Sequence, residues 1–401
     1  MDLQTVQRLS RRQQTKIVLL IMDGLGGLPR EAGGLTELET AATPHLDHLA
    51  AQGICGLHQP IATGIIPGSG PAHLGVFGYD PLTYEVGRGV LAALGIGFDL
   101  QQQDVAARGN FCTIDTDGRV TDRRAGRISS AKGEELCRLL QQIQLPNVEV
   151  FVEPVKEHRF ALVLRGQNLS GEVNDTDPQQ TGVVPVVAEP RVPAAQHTAQ
   201  LVQSFVEQAR DLLAEQHPAN MVLLRGFAQR PDWPTMEDIF AIRAGAIAAY
   251  PMYHGLAKLV GMHSLPADEA IPDAFTTLAE HWNDFDFFYV HIKPIDSAGE
   301  DGDFDRKVKL IEEVDTCIPR LLELKPDVIV VTGDHSTPAI MKEHSWHPVP
   351  TLLWSALCRP DTVEQFGERS CVQGGLGPRL PAVELLPLAL AHAARLKKFG
   401  A

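Results

Sequence analysis

Two apolar runs in the last third of the chain, 287–292 (FFYVHI) and 328–332 (VIVVT), are each followed at once by acids and imidazoles. Asp296 and Glu300 follow the first, Asp334 and His335 the second, and His344 and His347 come one loop later. Unbroken runs of this length are what strands covered on both faces of a parallel sheet look like, and open α/β sheets collect ligands at the carboxyl ends of such strands. Carboxylates and imidazoles delivered to one sheet edge form a donor set for a pair of divalent cations. A third run, 16–22 (KIVLLIM), stops at Asp23-Gly24 and brings Asp23 to the same edge. Taken alone, Asp23 reads equally as a cap or turn aspartate.

A nucleophile is offered by Pro67-Gly68-Ser69-Gly70-Pro71, which runs into AHLGVFGYDP. Glycines on either side leave the Ser69 hydroxyl uncrowded, and Pro71 suits the first turn of a following helix. The unpaired N–H groups at such a helix start favour an incoming phosphate, although a serine there also serves as a plain N-cap. No histidine is adjacent to Ser69 in sequence to act as its base. Coordination to a dication solves that problem by lowering the pKa of the hydroxyl.

The elements that must hold these residues follow from hydrophobic period. A polar leader reads as helix, and 41–52 (AATPHLDHLAAQ) is a helix with Thr43 as N-cap and Pro44 at its first position. From about residue 105 the pattern alternates: two strands around an Asp-Gly turn, an amphipathic helix over 134–143, and two more strands at 148–155 and 159–164. This ββαββ stretch predicts an inserted α+β domain over 105–189, acting as substrate-binding lid, with 1–104 and 190–401 forming the metal-binding α/β domain and hinges near 100–106 and 186–195. Within the insert, Arg123, Arg124 and Arg127 form a basic knot suited to a carboxylate or phosphate, or else simply a solvated cluster. Beyond it come an amphipathic helix over 197–216, a short strand at 221–224 ending at Arg225, a strand and helix over 241–262 returning to the large sheet, and a closing helix with its lysines toward the C-terminus.

Bulk composition sets limits. The 401 residues carry a net charge of −15, with 44% hydrophobic and 21% charged residues, which suits a large globular core and argues against general nucleic-acid binding. Six cysteines without a CxxC pair fit reduced thiols, and neither a signal-peptide core nor a membrane-length apolar run is present in the sequence. A soluble, cytoplasmic protein is the expectation.

Taken together, MDG at 22–24, PGSGPAHLGVFGYDP at 67–81, VGRG at 86–89, RGNF and DRRAGR within 108–127, EHRF at 157–160, DTDP at 175–178, GDHSTP at 333–338, HSWHPVP at 344–350 and GGLG at 374–377 resemble the cofactor-independent phosphoglycerate mutases. The resemblance is to the archaeal-type branch, within the alkaline phosphatase superfamily, and covers nearly the whole chain in order. It implies a mostly parallel sheet flanked by helices, two divalent ions and no 2,3-bisphosphoglycerate; the carboxylate of Glu300, where the family has a histidine, favours manganese or magnesium, with zinc or cobalt as the alternatives. It implies interconversion of 3- and 2-phosphoglycerate through a phosphoserine at Ser69. One metal set would be Asp23, Ser69, Asp334 and His335; the other would be Asp296, Glu300 and His344. Arg123, Arg124, Arg127, Arg225 and Lys293 are the expected substrate contacts. Where the family has Asp-x-x-x-His this chain has Asp296-x-x-x-Glu300, which shifts that set toward oxygen donors and leaves His347 as the alternative ligand. Gly70 and Pro71 also replace an acid and a threonine, and Arg243 stands where a lysine is common. Expected partners are a small phosphorylated three-carbon acid and, compatibly with the sequence, further copies of the chain; nucleic acid and membrane are not expected. The rival activities on such a core are a metal-dependent phosphatase, phosphodiesterase or small-molecule kinase, and the non-enzymatic rival is a metal-dependent binding protein.

Overall fold

Residues 2–268 and 270–400 are described by the computed structural model of the chain. The strands in the first two thirds are β1 (Ile17–Met22), β2 (Ile54–Gln59), β3 (Val105–Ile114), β4 (Val120–Asp122), β5 (Val148–Lys156), β6 (Arg159–Gly166), β7 (Met221–Gln229), β8 (Ala244–Ile247) and β9 (His263–Leu265). Then follow β10 (Phe287–Ile292), β11 (Val328–Thr332), β12 (Val349–Ser355) and β13 (Gly377–Pro381). Two compact units divide the chain. The first is Met1–Glu85, Pro234–Tyr250 and Val260–Ala401; the second is Val86–Trp233 with Pro251–Leu259.

Among the described residues, the first unit holds an eight-stranded sheet in the order β13-β2-β12-β11-β1-β10-β8-β9. β1 lies between β11 and β10, parallel to both, with Ile21 opposite Thr332 on one side and His291 on the other. β12 runs antiparallel to both its neighbours, β11 and β2, so the sheet is mostly parallel. Every residue of β1, β10 and β11 is buried, as expected for strands covered on both faces. The strand period of two divides their side chains between two layers. Val18, Leu20 and Met22 join Leu46, Leu49, Phe275, Leu278, Ile311, Val314 and Ile318, supplied by the helices Pro44–Gln52, Ile271–Glu280 and Phe304–Glu323. Ile17 and Leu19 meet Val76, Leu385, Leu386 and Ala389 of the helices Ser69–Val76 and Leu385–His392 on the other face. Each such apolar side chain gains about 1.5–3 kcal/mol over exposure, so three central strands without a polar residue pointing outward have no stable alternative to this sandwiched position.

The second unit is built on a five-stranded antiparallel sheet, β4-β3-β6-β5 with β7 on the other edge of β3. The helices Ser130–Leu140 and Gln196–Leu213 bury Leu136, Leu140, Val202 and Phe205 in its core. The ββαββ order over 105–166 is as expected, but the unit is wider than 105–189. The strand at 221–224 lengthens to β7 and pairs with β3, so it belongs to the small sheet rather than the large one. The stretch 241–262 is divided: β8 pairs with β10 in the large sheet, whereas the helix Pro251–Leu259 packs on the helix Arg88–Gly95 in the second unit. The closing helix ends at His392, so Lys397 and Lys398 lie beyond it instead of in its last turn. No helix among the described residues is long and apolar enough to cross a membrane.

Candidate active site

The carboxyl ends of the three central strands of the first unit converge. Asp23 follows β1, Lys293 follows β10, and Asp334 and His335 follow β11 after Gly333. Asp23, Asp334 and Asp296 are all 0% exposed, as are His73 and His335. Two groups of donor atoms result, Asp23–Asp334–His335 and Asp296–His335–His344, each lying within 4.8 Å. His335 stands at their junction. Its Nε2 is 3.1 Å from Asp334 Oδ2, 3.4 Å from Asp23 Oδ1 and 3.3 Å from Ser69 Oγ, while its Nδ1 is 4.0 Å from Asp296 Oδ1. Thr337 sets the orientation: its Oγ1 is 3.0 Å from His335 Nδ1 and donates to Asp296 Oδ1 at 2.6 Å. With Nδ1–H directed at Thr337, Nε2 keeps a lone pair for the Ser69 side, which is the support a metal-ligating histidine needs. His344 is held likewise. Its Nδ1 donates to the Pro67 carbonyl at 2.8 Å, its ring stacks on that of His335 at 3.7 Å, and its Nε2 lies 3.8 Å from Asp296 and 3.9 Å from Glu300.

Electrostatics agree with this geometry. Burial pushes the Asp23 carboxyl up, but Lys293, His291 and His335 together outweigh it and hold its pKa well below the usual carboxylate range. Asp334 is likewise held low against burial and against Asp23, by His335 and His73. Burial lowers the pKa of His335 and of His291 against the pull of the neighbouring carboxylates. Lys293 Nζ sits 2.5 Å from Asp296 and 3.3 Å from Asp23, one ammonium shared by two carboxylates. Two carboxylates held ionised this closely out of water, with Asp296 buried beside them, are costly unless further positive charge joins them. Buried carboxylate oxygens and imidazole nitrogens within 4.8 Å of one another are donors that divalent ions take, so the set fits them.

Known proteins share this arrangement of sequence and fold. The family described as 2,3-bisphosphoglycerate-independent phosphoglycerate mutase matches residues 50–220. A probable 2,3-bisphosphoglycerate-independent phosphoglycerate mutase of Aquifex aeolicus is 48% identical over 99% of either chain, and one of Thermus thermophilus is 47% identical over 100% of both. The chain belongs to the 2,3-bisphosphoglycerate-independent phosphoglycerate mutase family. Its fold is similar to that of the PH0037 protein from Pyrococcus horikoshii, at 30% identity and a TM-score of 0.84, covering 96% of this chain and 99% of that one. The cofactor-independent phosphoglycerate mutase from Thermoplasma acidophilum is similar at 28% identity and a TM-score of 0.70, covering 94% and 99%.

In this phosphoglycerate mutase family member the expected residues fall into two sets. Asp23, Ser69, Asp296, Asp334, His335 and His344 come together with Lys293 in the first unit, and Glu300 lies at their edge with its side chain 54% exposed. His347 is turned away: its Nδ1 meets Ser345 Oγ at 3.0 Å, and the residue lines a separate depression with Leu28, Thr36 and Glu368. Arg243 is also remote. It precedes β8 at the opposite sheet edge, over the Phe285 ring, with its N–H donating to Asp286. In the second unit Arg123 grips the buried Asp177 with two bonds of 3.0 and 2.7 Å, and Arg225 approaches the same carboxylate at 3.7 Å. Arg225 on β7 is in register with Arg108 on β3, and burial followed by Arg225 lowers the pKa of Arg88. Arg124, Arg127, Arg108 and Arg159 all act electrostatically on His158. Thus the basic group is larger than the sequence suggested, with Arg88 and Arg108 added.

Two histidines of the site were missed. His73, four residues after Ser69 on the same helix, places Nδ1 2.8 Å from the Ser69 carbonyl and 3.1 Å from Asp334. His291, the last position but one of β10, holds Asp23 Oδ2 at 2.9 Å through Nε2. The i+4 spacing from Ser69 was the available signal for the first; a histidine inside an otherwise apolar strand was the signal for the second.

Proposed function

We propose that this chain interconverts 3-phosphoglycerate and 2-phosphoglycerate by passing the phosphoryl group through Ser69, without 2,3-bisphosphoglycerate. The observation that carries the reading is the Ser69 hydroxyl, 3.3 Å from His335 Nε2, on the first residue of a helix and beside the buried Asp23–Asp334–His335 group. Asp23, Ser69, Asp334 and His335 would hold one divalent ion, and Asp296, Glu300 and His344 the other. When bound, such ions supply Lewis acidity, lowering the pKa of a serine hydroxyl and neutralising phosphoryl oxygens. The oxygen-rich second set, with Glu300 where the family pattern has histidine, supports manganese or magnesium over zinc.

The residues of the chain do the rest. Ser69 Oγ attacks phosphorus, the bond from phosphorus to the substrate oxygen breaks, and that oxygen leaves as a hydroxyl. The glycerate turns without departing, and its other hydroxyl attacks the phosphoserine, restoring Ser69. Lys293 and the N–H groups of the first helical turn offset charge on the phosphoryl oxygens. Within the second unit, Arg124, Arg127 and Arg225 form a basic group of the kind that binds a carboxylate. Water has to be kept from the phosphoserine for the product to be an isomer and not free phosphate.

The test is direct. Purified protein, loaded with Mn²⁺ and given 3-phosphoglycerate with no 2,3-bisphosphoglycerate, should form 2-phosphoglycerate by ³¹P NMR. Inorganic phosphate as the main product would mark a phosphatase instead.

A further inference from the structure

A buried lysine and glutamate that belong to neither donor group connect the loops on which both groups are built. Lys307, on the helix Phe304–Glu323, is 0% exposed, and its three ammonium hydrogens go to three backbone carbonyls: Gly24 at 2.9 Å, Gly26 at 3.1 Å and Thr337 at 2.9 Å. Glu37 is also 0% exposed and lies 3.9 Å from the ammonium. Its carboxylate accepts the N–H of Leu28 at 3.0 Å and that of Ala339 at 2.7 Å. The five backbone groups come from two segments, the loop after β1 that begins with Asp23 and the loop after β11 that contains Asp334 and His335.

We infer that the Lys307–Glu37 pair is a positioning device for metal binding: it fixes the loop after β1 against the loop after β11, so that the donors of both groups converge. The link runs through Thr337, whose carbonyl is held by Lys307 while its hydroxyl holds Asp296 and His335. It runs equally through Gly24, next to Asp23. A buried ion pair in an apolar core is seldom the most stabilising choice, since well-packed apolar residues often do as well. Here the pair satisfies five loop N–H and C=O groups that no apolar residue could satisfy, and those loops carry the ligands. The inference rests on reading the two donor groups as metal sites.

The experiment measures Mn²⁺ affinity by EPR of the free ion, with no substrate present, on chains shown to be folded by circular dichroism. Lys307→Met keeps the length of the side chain and removes all three donors; Glu37→Gln keeps the shape of the acid and gives the same reading where the lysine variant does not fold. Ile318→Val, a buried change on the same helix as Lys307, is the structural control and should lower the melting temperature while leaving Mn²⁺ affinity unchanged. The expected result is a loss of ~10-fold or more in Mn²⁺ affinity in the Lys307 or Glu37 variant, the size seen when the outer supports of metal ligands are removed. A smaller loss, or an equal loss in Ile318→Val, overturns the inference and leaves the metal sites standing. A parent chain that binds no Mn²⁺ overturns both.

Discussion

Of the imidazoles beside Ser69, His73 is engaged with Asp334 and with the serine's own carbonyl, and the free lone pair of His335 Nε2 is the one assigned to a metal ion in the proposed reading. On that reading the hydroxyl is activated by a cation. Ser69→Ala is expected to lower mutase turnover by ~10³-fold or more, as loss of a nucleophile does, while Mn²⁺ still binds by EPR; turnover close to the parent value would remove Ser69 from the mechanism. Arg124→Ala and Arg127→Ala should each raise KM ~10–100-fold, the value of a charge-assisted hydrogen bond, with a smaller effect on kcat in steady-state assays. Unchanged KM in both would mean that the cluster is solvated surface. At this scale the sequence was readable where a residue sat at a break in an apolar run, as Asp23, Asp296 and Asp334 do. His73, His291, Glu37 and Lys307 lie inside regular elements, where a polar residue in a helix or strand has the same appearance whether it faces solvent or a buried partner.

Among the elements, β1, β10 and β11 position the candidate ligands because each ends at the same sheet edge, and the turn after β1 leaves no room for a side chain. Gly24 has φ of +68°, and a Cβ there would lie 2.7 Å from Asp296 Oδ1 and 2.8 Å from Thr337 Oγ1. Gly24→Ala should therefore cost ~1–2 kcal/mol from its backbone conformation alone and displace Asp296 as well, so both the urea midpoint and Mn²⁺ affinity should fall. A variant with parental metal affinity would show that the loop has room to spare. The parallel strands were legible because burial on both faces leaves an unbroken apolar run. β7 and the helix Pro251–Leu259 were misplaced for a matching reason: their apolar faces are ordinary, and which sheet or helix covers them is decided by long-range pairing with β3 and packing on Arg88–Gly95, which local period does not encode.

Across the whole molecule, the second unit has its own acid weakness. His158, 1% exposed, is pushed down to about 4 by burial and then by Arg159, Arg124, Arg127 and Arg108, with Glu157 3.7 Å from its Nδ1. Because the folded pKa is depressed below the ordinary value of 6.5, the unfolded chain takes up a proton that the folded chain refuses. The stability contributed by neutral His158 is thus complete above that ordinary value and is lost as pH falls from it toward about 4. Urea unfolding across this range should show a shallower acid loss for His158→Gln than for the parent; parallel curves would mean that the ring is solvated or paired in acid.

The strand order of the large sheet also bears on how the chain is made. β1 leaves the ribosome long before β10 and β11, the two strands that fill its hydrogen-bonding edges. Until they emerge, a nascent chain displays an unpaired hydrophobic ribbon with Asp23 and Ser69 already made but Asp334 and His335 still missing. Such a ribbon invites pairing with neighbouring nascent chains, so chaperone demand should peak before residue 287 emerges and fall once the ribbon is enclosed.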